Sequence, residues 1–142
     1  VSGVSNNDLS RYYRSAHIFC APATGNESLG IVLLEAMAAG LPVVASNIDG
    51  YATVITHGVE GLLVQPKETP ALANALTALV RNADQRAALA AGGGRRVVEY
   101  SWPRITQQLL SYYERLRYDR ATHTRSLARA EATRLARASE SR

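Results

Sequence analysis

The sequence predicts an α/β fold, a parallel sheet with flanking helices, and three observations carry that reading. Segments with strand-like and helix-like patterns alternate along the chain, as they do in βαβ units. The strand-like runs HIFCAP, LPVVAS and GLLVQP are apolar throughout instead of alternating, which suits a sheet covered on both faces. The length of 142 residues, with 46% hydrophobic and 20% charged residues, fits one domain with a sizeable core and excludes wholesale disorder.

The elements follow in order. Residues 1–4 read as the end of a strand. Asn7 and Asp8 offer a helix cap, and DLSRYYRSA continues with helical spacing. HIFCAP (17–22) is a short buried strand stopped by proline. TGNES is a turn, and LGIVLLEAMAAG is a helix of good helix formers ended by Gly40. LPVVAS (41–46) is the second strand. Residues 51–55 have room for about one helical turn. GVEG is a turn, and GLLVQP (61–66) is the third strand. ETPALANALTALVRN carries Leu72, Leu76, Leu79 and Val80 at helical spacing. DQRAALAAGGGRRVVEY is a weaker helix, with Gly92, Gly93 and Gly94 expected to break it flexibly. The glycine run is not a phosphate loop, since no Lys-Ser/Thr follows it. Ser101 caps a last helix with Trp102 and Pro103 in its first turn, and Ile105, Leu109, Leu110, Tyr113 and Leu116 lie on one side of it. Beyond residue 117 the pattern fades. The expected organisation is a domain over residues 1–117 and an Ala/Arg-rich tail over 118–142.

Composition narrows the function classes. The net charge is +4, but the arginines gather near the C-terminus, which weakens the case for a basic binding face on the core. The tail holds Arg120, Arg125, Arg129, Arg134, Arg137 and Arg142, offset by Asp119, Glu131 and Glu140. An anionic membrane surface is a candidate partner for it, and nucleic acid is not expected as one. The single cysteine, Cys20, cannot form an internal disulfide, in keeping with a reducing compartment. No apolar stretch reaches about 18 residues, so no transmembrane helix is expected, and no signal peptide is visible. The expected location is cytoplasmic, or peripheral at the inner face of the membrane. The chain opens without Met, as if within a longer pattern.

The chemistry concentrates in ESLGIVLLEAMAAG (27–40). Between residues 28 and 48 the only charge is Glu35, set within an apolar helix, and Glu27 stands just before that helix. In an open parallel sheet, ligands bind beyond the carboxyl ends of the strands, and this turn lies at such an end. A helix start presents unsatisfied N–H groups and partial positive charge, suited to phosphate. With the helix beginning near residue 28 or 29, Glu35 lies roughly 10 Å along its axis. A diphosphate at the helix start would then have a carboxylate on either side. Carboxylates accept paired, charge-strengthened hydrogen bonds from sugar hydroxyls, and a diphosphate flanked by two sugars is a nucleotide sugar. The alternative is structural: Glu27 favouring the helix dipole, and Glu35 paired with an Arg or Lys. Spacing alone favours neither.

The remaining reactive side chains read as structural. His17 and His57 have no nucleophile or acid nearby in sequence. Cys20 and Met37 are expected in the core, and Trp102 is expected to anchor the last helix. Ser46, Asn47 and Asp49-Gly50-Tyr51 follow the second strand, at a ligand-facing end, as a turn or as donor contacts.

The stretch FCAPATGNESLGIVLLEAMAAGLPVVAS closely resembles the C-terminal nucleotide-sugar-binding region of glycosyltransferase family 4, retaining enzymes of GT-B fold. ESLGIVLLE is similar to the family's E-x7-E element. DLSRYYRSAHIFCAP, GVEGLLVQP and YSWPRITQQLLSYYERL are similar to the segments around it, so the resemblance covers about residues 1–117. It implies a Rossmann-like sheet forming part of the C-terminal domain of a GT-B enzyme. It further implies that Glu27 contacts the transferred sugar as the catalytic-site carboxylate. Ser28, Leu29, Gly30 and Ile31 would approach the donor diphosphate, and Glu35 would bind the ribose. No metal and no cofactor beyond the nucleotide-sugar donor are implied. SNIDGYATVI departs from the Gly-Gly and acid that many members carry after the second strand. That variant and FCAPATGNES look most like phosphatidylinositol α-mannosyltransferases, whose donor is GDP-mannose. The family's N-terminal acceptor domain is missing from the 142 residues, so the chain is expected to be inactive alone. A non-catalytic nucleotide-binding module, or a GT-B-like nucleotide-sugar epimerase, is the alternative.

Overall fold

The structure, a computed structural model, describes residues 3–140, and of residues 6, 7, 121 and 124–140 it describes the backbone alone. The chain divides into two units, Val1–Ser101 and Trp102–Arg142. The first holds α1 (Asn6–Ser15), β1 (Phe19–Ala21), α2 (Ile31–Ala38), β2 (Val43–Ser46), α3 (Asp49–Ala52), β3 (Gly61–Val64), α4 (Thr69–Arg81) and α5 (Ala83–Val97), followed by one 3-10 turn. The second is a single long helix, α6 (Trp102–Glu140). It crosses residue 117 without interruption, where the sequence pattern fades. Of the expected strand over residues 1–4, the first two residues lie outside those described, and Gly3 and Val4 belong to no strand.

The sheet is parallel throughout, in the order β1-β2-β3. Phe19 pairs with Val43 and Ala21 with Ala45, and Val43 pairs with Gly61 and Ser46 with Val64. The strands are shorter than the apolar runs that announced them. His17, Ile18, Leu41 and Pro42 carry the chain into the sheet, while Pro22 and Pro66 lie beyond its carboxyl edge.

All four residues of β2 are buried, because both faces of the sheet are covered. Successive side chains of a strand point to opposite faces. Val43 and Ala45 accordingly join Leu33, Ala36 and Met37 of α2, with Tyr51, Val54 and Ile55, in one core. Val44 joins Leu62, Leu79 and Leu89 in the other. Leu33 and Leu79 are wholly inaccessible, and each contributes about 2–3 kcal/mol by leaving water. Met37 is buried as expected. Trp102, expected as a core anchor, is instead 83% exposed.

Two helix starts differ from the sequence reading. The cap of α1 is Ser5, whose hydroxyl accepts from the Asp8 N–H and donates to the Asp8 carboxylate at 2.8 Å. Asp8 is therefore inside the first turn, where its charge meets the positive end of the helix. The second helix begins at Ile31, not near residue 28, because Gly30 adopts a left-handed conformation at φ 72°.

The glycine run does not break its helix. α5 continues from Ala83 to Val97 through Gly92, Gly93 and Gly94. A Cβ on Gly92 would overlap the Val59 carbonyl oxygen, and one on Gly93 would come within 2.8 Å of the Met37 Cγ. The missing side chains let the helix lie against the turn before β3 and against α2. Gly94 faces open space.

Candidate functional site

Because the strands are parallel, their carboxyl ends share one edge of the sheet, and the loops after β1 and β2 meet there. The β1–α2 loop carries Glu27, and the β2–α3 connection carries Asn47 and Asp49. Together with Gly25, Asn26, Ile48 and Gly50 they line a cavity of about 390 Å³. Glu27, Asn47 and Asp49 are all exposed to solvent.

The loop owes its position to α3. Gly50 packs against the Glu27–Ser28 backbone so closely that a Cβ would overlap the Glu27 carbonyl oxygen. Gly30 lies under the Tyr51 ring, where a Cβ would meet ring carbons at 2.6 and 2.7 Å. Glycine is required at residue 30 twice over, for the left-handed turn and for the space. Tyr51 is 2% exposed, and its hydroxyl is pushed up from its ordinary pKa first by burial and then by the charge of Glu27. A sequence can display these glycines, but not which backbone they admit.

The start of α2 is open. No side chain caps it, and its first turn holds no acid. The Leu33 N–H already bonds the Gly30 carbonyl at 2.9 Å, which leaves the N–H groups of Ile31 and Val32 for an anion. Ser28 and Leu29 precede the helix and are exposed, Gly30 is its buried cap, and Ile31 opens the helix at 62% exposure. With the helix starting at Ile31, Glu35 lies only about 6 Å along the axis, nearer the helix start than the sequence spacing suggested.

Glu35 is half-buried, and among the described residues it pairs with no cation. The Tyr13 hydroxyl of α1 donates a hydrogen bond to its Oε2 at 2.9 Å. The structural alternative, a pairing with Arg or Lys, is not found among the described residues. Glu35 does not line the cavity that Glu27 borders.

Other expectations resolve simply. His57 Nδ1 accepts from the Leu63 N–H at 3.0 Å and so ties the turn before β3 to that strand. His17 is exposed ahead of β1. Cys20 lies within β1, and burial pushes its thiol up. The pattern gave no sign of Arg96. Its guanidinium donates to the Val54 and Thr53 carbonyls at 3.2 and 3.1 Å, and so fixes the end of the α3 segment from α5. Glu60 was likewise not foreseen; buried, it accepts from the Thr56 N–H at 2.7 Å. Among the described residues no group of three His, Cys, Asp or Glu is placed to hold a metal ion. No helix among them is long and apolar enough to cross a membrane.

Comparison with known proteins shows the family. Residues 1–96 match the family described as glycosyl transferases group 1. Over 101 residues the chain is 48% identical to phosphatidyl-myo-inositol mannosyltransferase of Mycobacterium leprae, covering 71% of this chain and 27% of that protein. The chain thus spans about a quarter of the length of that curated relative. Sucrose-phosphate synthase from Thermosynechococcus elongatus superimposes with a TM-score of 0.74 at 32% identity, over 82% of this chain and 29% of that one. HepE from Anabaena, solved in complex with UDP, superimposes at 0.68 and 27% identity, over 75% of this chain and 30% of that one. The three-stranded parallel sheet with its flanking helices is the α/β arrangement of GT-B glycosyltransferases, and the chain belongs to the group 1 glycosyltransferases.

Proposed function

We propose that this chain is the donor-binding part of a retaining glycosyltransferase. The complete protein would move mannose from GDP-mannose to a lipid acceptor such as phosphatidylinositol. One observation carries the reading. Glu27 borders a cavity at the carboxyl edge of the sheet, just ahead of a helix start without a side-chain cap. The 48% identity to a mannosyltransferase supports the sugar, and the UDP complex of a structural neighbour supports a nucleotide ligand.

In this reading the donor diphosphate meets the backbone around Leu29, Gly30 and Ile31. Glu27 accepts hydrogen bonds from the hexose hydroxyls and sets the angle of the anomeric carbon, and Glu35 receives the ribose. The acceptor hydroxyl attacks from the leaving-group side. The donor phosphate departs with the bonding electron pair and takes up the acceptor's proton, so configuration is retained. No protein nucleophile and no metal enter these steps. The acceptor site lies in the remainder of the complete protein, which works at the cytoplasmic face of the membrane.

The test is titration of GDP-mannose, UDP-glucose and UDP-N-acetylglucosamine against the complete gene product, followed by transfer assays. Tighter binding and turnover of GDP-mannose support the assignment, and preference for a uridine donor overturns the sugar and the base. Nucleotide binding without transfer to any acceptor would favour the non-catalytic module. Interconversion of free nucleotide sugars would favour the epimerase. The 142-residue chain alone is expected to transfer no sugar, and measurable transfer by it would refute that expectation.

A further inference from the structure

The Tyr13 hydroxyl is neither a core filler nor a solvent-facing ornament of α1. Its ring sits tilted against Phe19 at 5.5 Å between centroids, so the aromatic body is held by β1 while the hydroxyl reaches Glu35 across 22 positions of sequence. Burial, then the hydrogen bond to Glu35 and its charge, push the phenol up to about 12. It is therefore a neutral donor at any physiological pH, and the carboxylate is the acceptor. One oxygen of Glu35 is used in this way, while Oε1 accepts no hydrogen bond among the described residues.

A glutamate side chain on a helix turns about three bonds, and its carboxylate plane is broadly distributed about the last of them. A single charge-assisted bond from a ring that is itself packed removes much of that freedom. The geometry points to Tyr13 as a positioning residue that fixes the Glu35 carboxylate so that its second oxygen faces a vicinal diol of the nucleoside. This rests on the proposed reading that Glu35 receives the ribose, and it adds the residue that prepares it. A bare structural pairing would hold α1 to α2 but would not distinguish one nucleotide from another.

The test uses the complete gene product and calorimetric titration with GDP and 2′,3′-dideoxy-GDP, on the wild type, Tyr13→Phe and Glu35→Gln. Tyr13→Phe keeps the ring and its packing and removes only the donor. The wild type is expected to prefer GDP, and Tyr13→Phe to lose roughly three- to tenfold in GDP affinity, the weight of one orienting hydrogen bond. Affinity for the dideoxy nucleotide should stay unchanged. Equal loss for both nucleotides in Tyr13→Phe would overturn the inference in favour of a purely structural bond. A preference that Glu35→Gln removes and Tyr13→Phe leaves intact would overturn it while the ribose reading stands. A preference unaffected by Glu35→Gln would overturn both.

Discussion

Three adjacent glycines in α5 make a sharp test, because the structure gives each a different neighbour. Consider the single replacements by alanine. An exposed helical glycine replaced by alanine gains about 0.5–1 kcal/mol from propensity alone. Gly94 is exposed with nothing within 4 Å of its missing side chain, so Gly94→Ala should keep that whole gain. Gly93→Ala brings a methyl to 2.8 Å from the Met37 Cγ, in a core where Met37 is 1% exposed. The Met37 Cβ would stand at 3.2 Å as well, so the clash is with the rooted end of a packed side chain, and Gly93→Ala should be destabilising by about 1 kcal/mol, less than Gly92→Ala. Gly92→Ala drives a methyl into the Val59 carbonyl oxygen, and backbone must move. Overpacking of that kind costs about 1–3 kcal/mol or more, well beyond the propensity gain.

Urea unfolding followed by far-ultraviolet circular dichroism reads the order directly. With a slope of about 1–1.5 kcal/mol/M for a domain of this size, Gly94→Ala should raise the midpoint by about 0.5 M. Gly92→Ala should lower it by roughly 1 M or more by the same slope. Equal shifts for all three, the behaviour of a flexible break between helices, would refute the packing argument. So would a Gly92→Ala variant as stable as the wild type.

Further predictions concern the site. Glu27→Gln in the complete protein should cut transfer by at least about a hundredfold, the scale of a lost transition-state contact, while GDP affinity measured by calorimetry changes little. Gly50→Ala should push the Glu27–Ser28 backbone aside and lower kcat more than it raises KM for the donor; a pure KM effect would speak against this placement. Lys67 sits at φ 68°, so Lys67→Gly should stabilise the fold against urea by about 0.5–1 kcal/mol, left-handed strain relieved less the entropy of glycine. Tyr13 titrates near 10.0 when unfolded and about 12 when folded, so its contribution is complete below pH 10 and lost as pH rises towards 12. Midpoints of wild type and Tyr13→Phe should therefore converge over that window. Removal of residues 118–142 should weaken flotation with anionic but not neutral liposomes, and unchanged flotation would remove the membrane as a partner of this tail.

Much of the fold was legible because its signals are local. Short apolar runs between turn residues marked the three strands, and 3.6-residue spacing marked α4. Their ends were less legible: Leu41 and Pro42 are as apolar as Val43, and only the ladder decides where pairing begins. The start of α2 was misplaced by about two residues because leucine before Gly30 reads as helical, whereas the Tyr51 ring and the left-handed glycine settle the boundary. The glycine run was misread for a related reason. Composition announces flexibility at such a run, but close approach of two segments requires the same residue. Trp102 shows the reverse failure, since aromatic size suggests a core that this position does not enter. At the site, the E-x7-E spacing drew attention to the β1–α2 loop and to α2. Tyr13, Gly50 and Tyr51 stayed hidden as its supports, because their contacts join residues more than 20 positions apart.

The loop bearing Glu27 is exposed, yet its backbone is wedged from below by Gly50 and its far end is pinned where the Tyr51 ring covers Gly30. Loops that close on a ligand ordinarily lose conformational entropy at the moment of binding, and affinity is reduced by that amount. Here the loss is taken at folding, when α3 docks. A donor would meet a loop backbone already in place, so association would need no slow ordering of that backbone, and its rate would be governed by diffusion and charge. Loosening α3 would therefore register first as slower, more temperature-sensitive capture, before any change in the chemistry that follows.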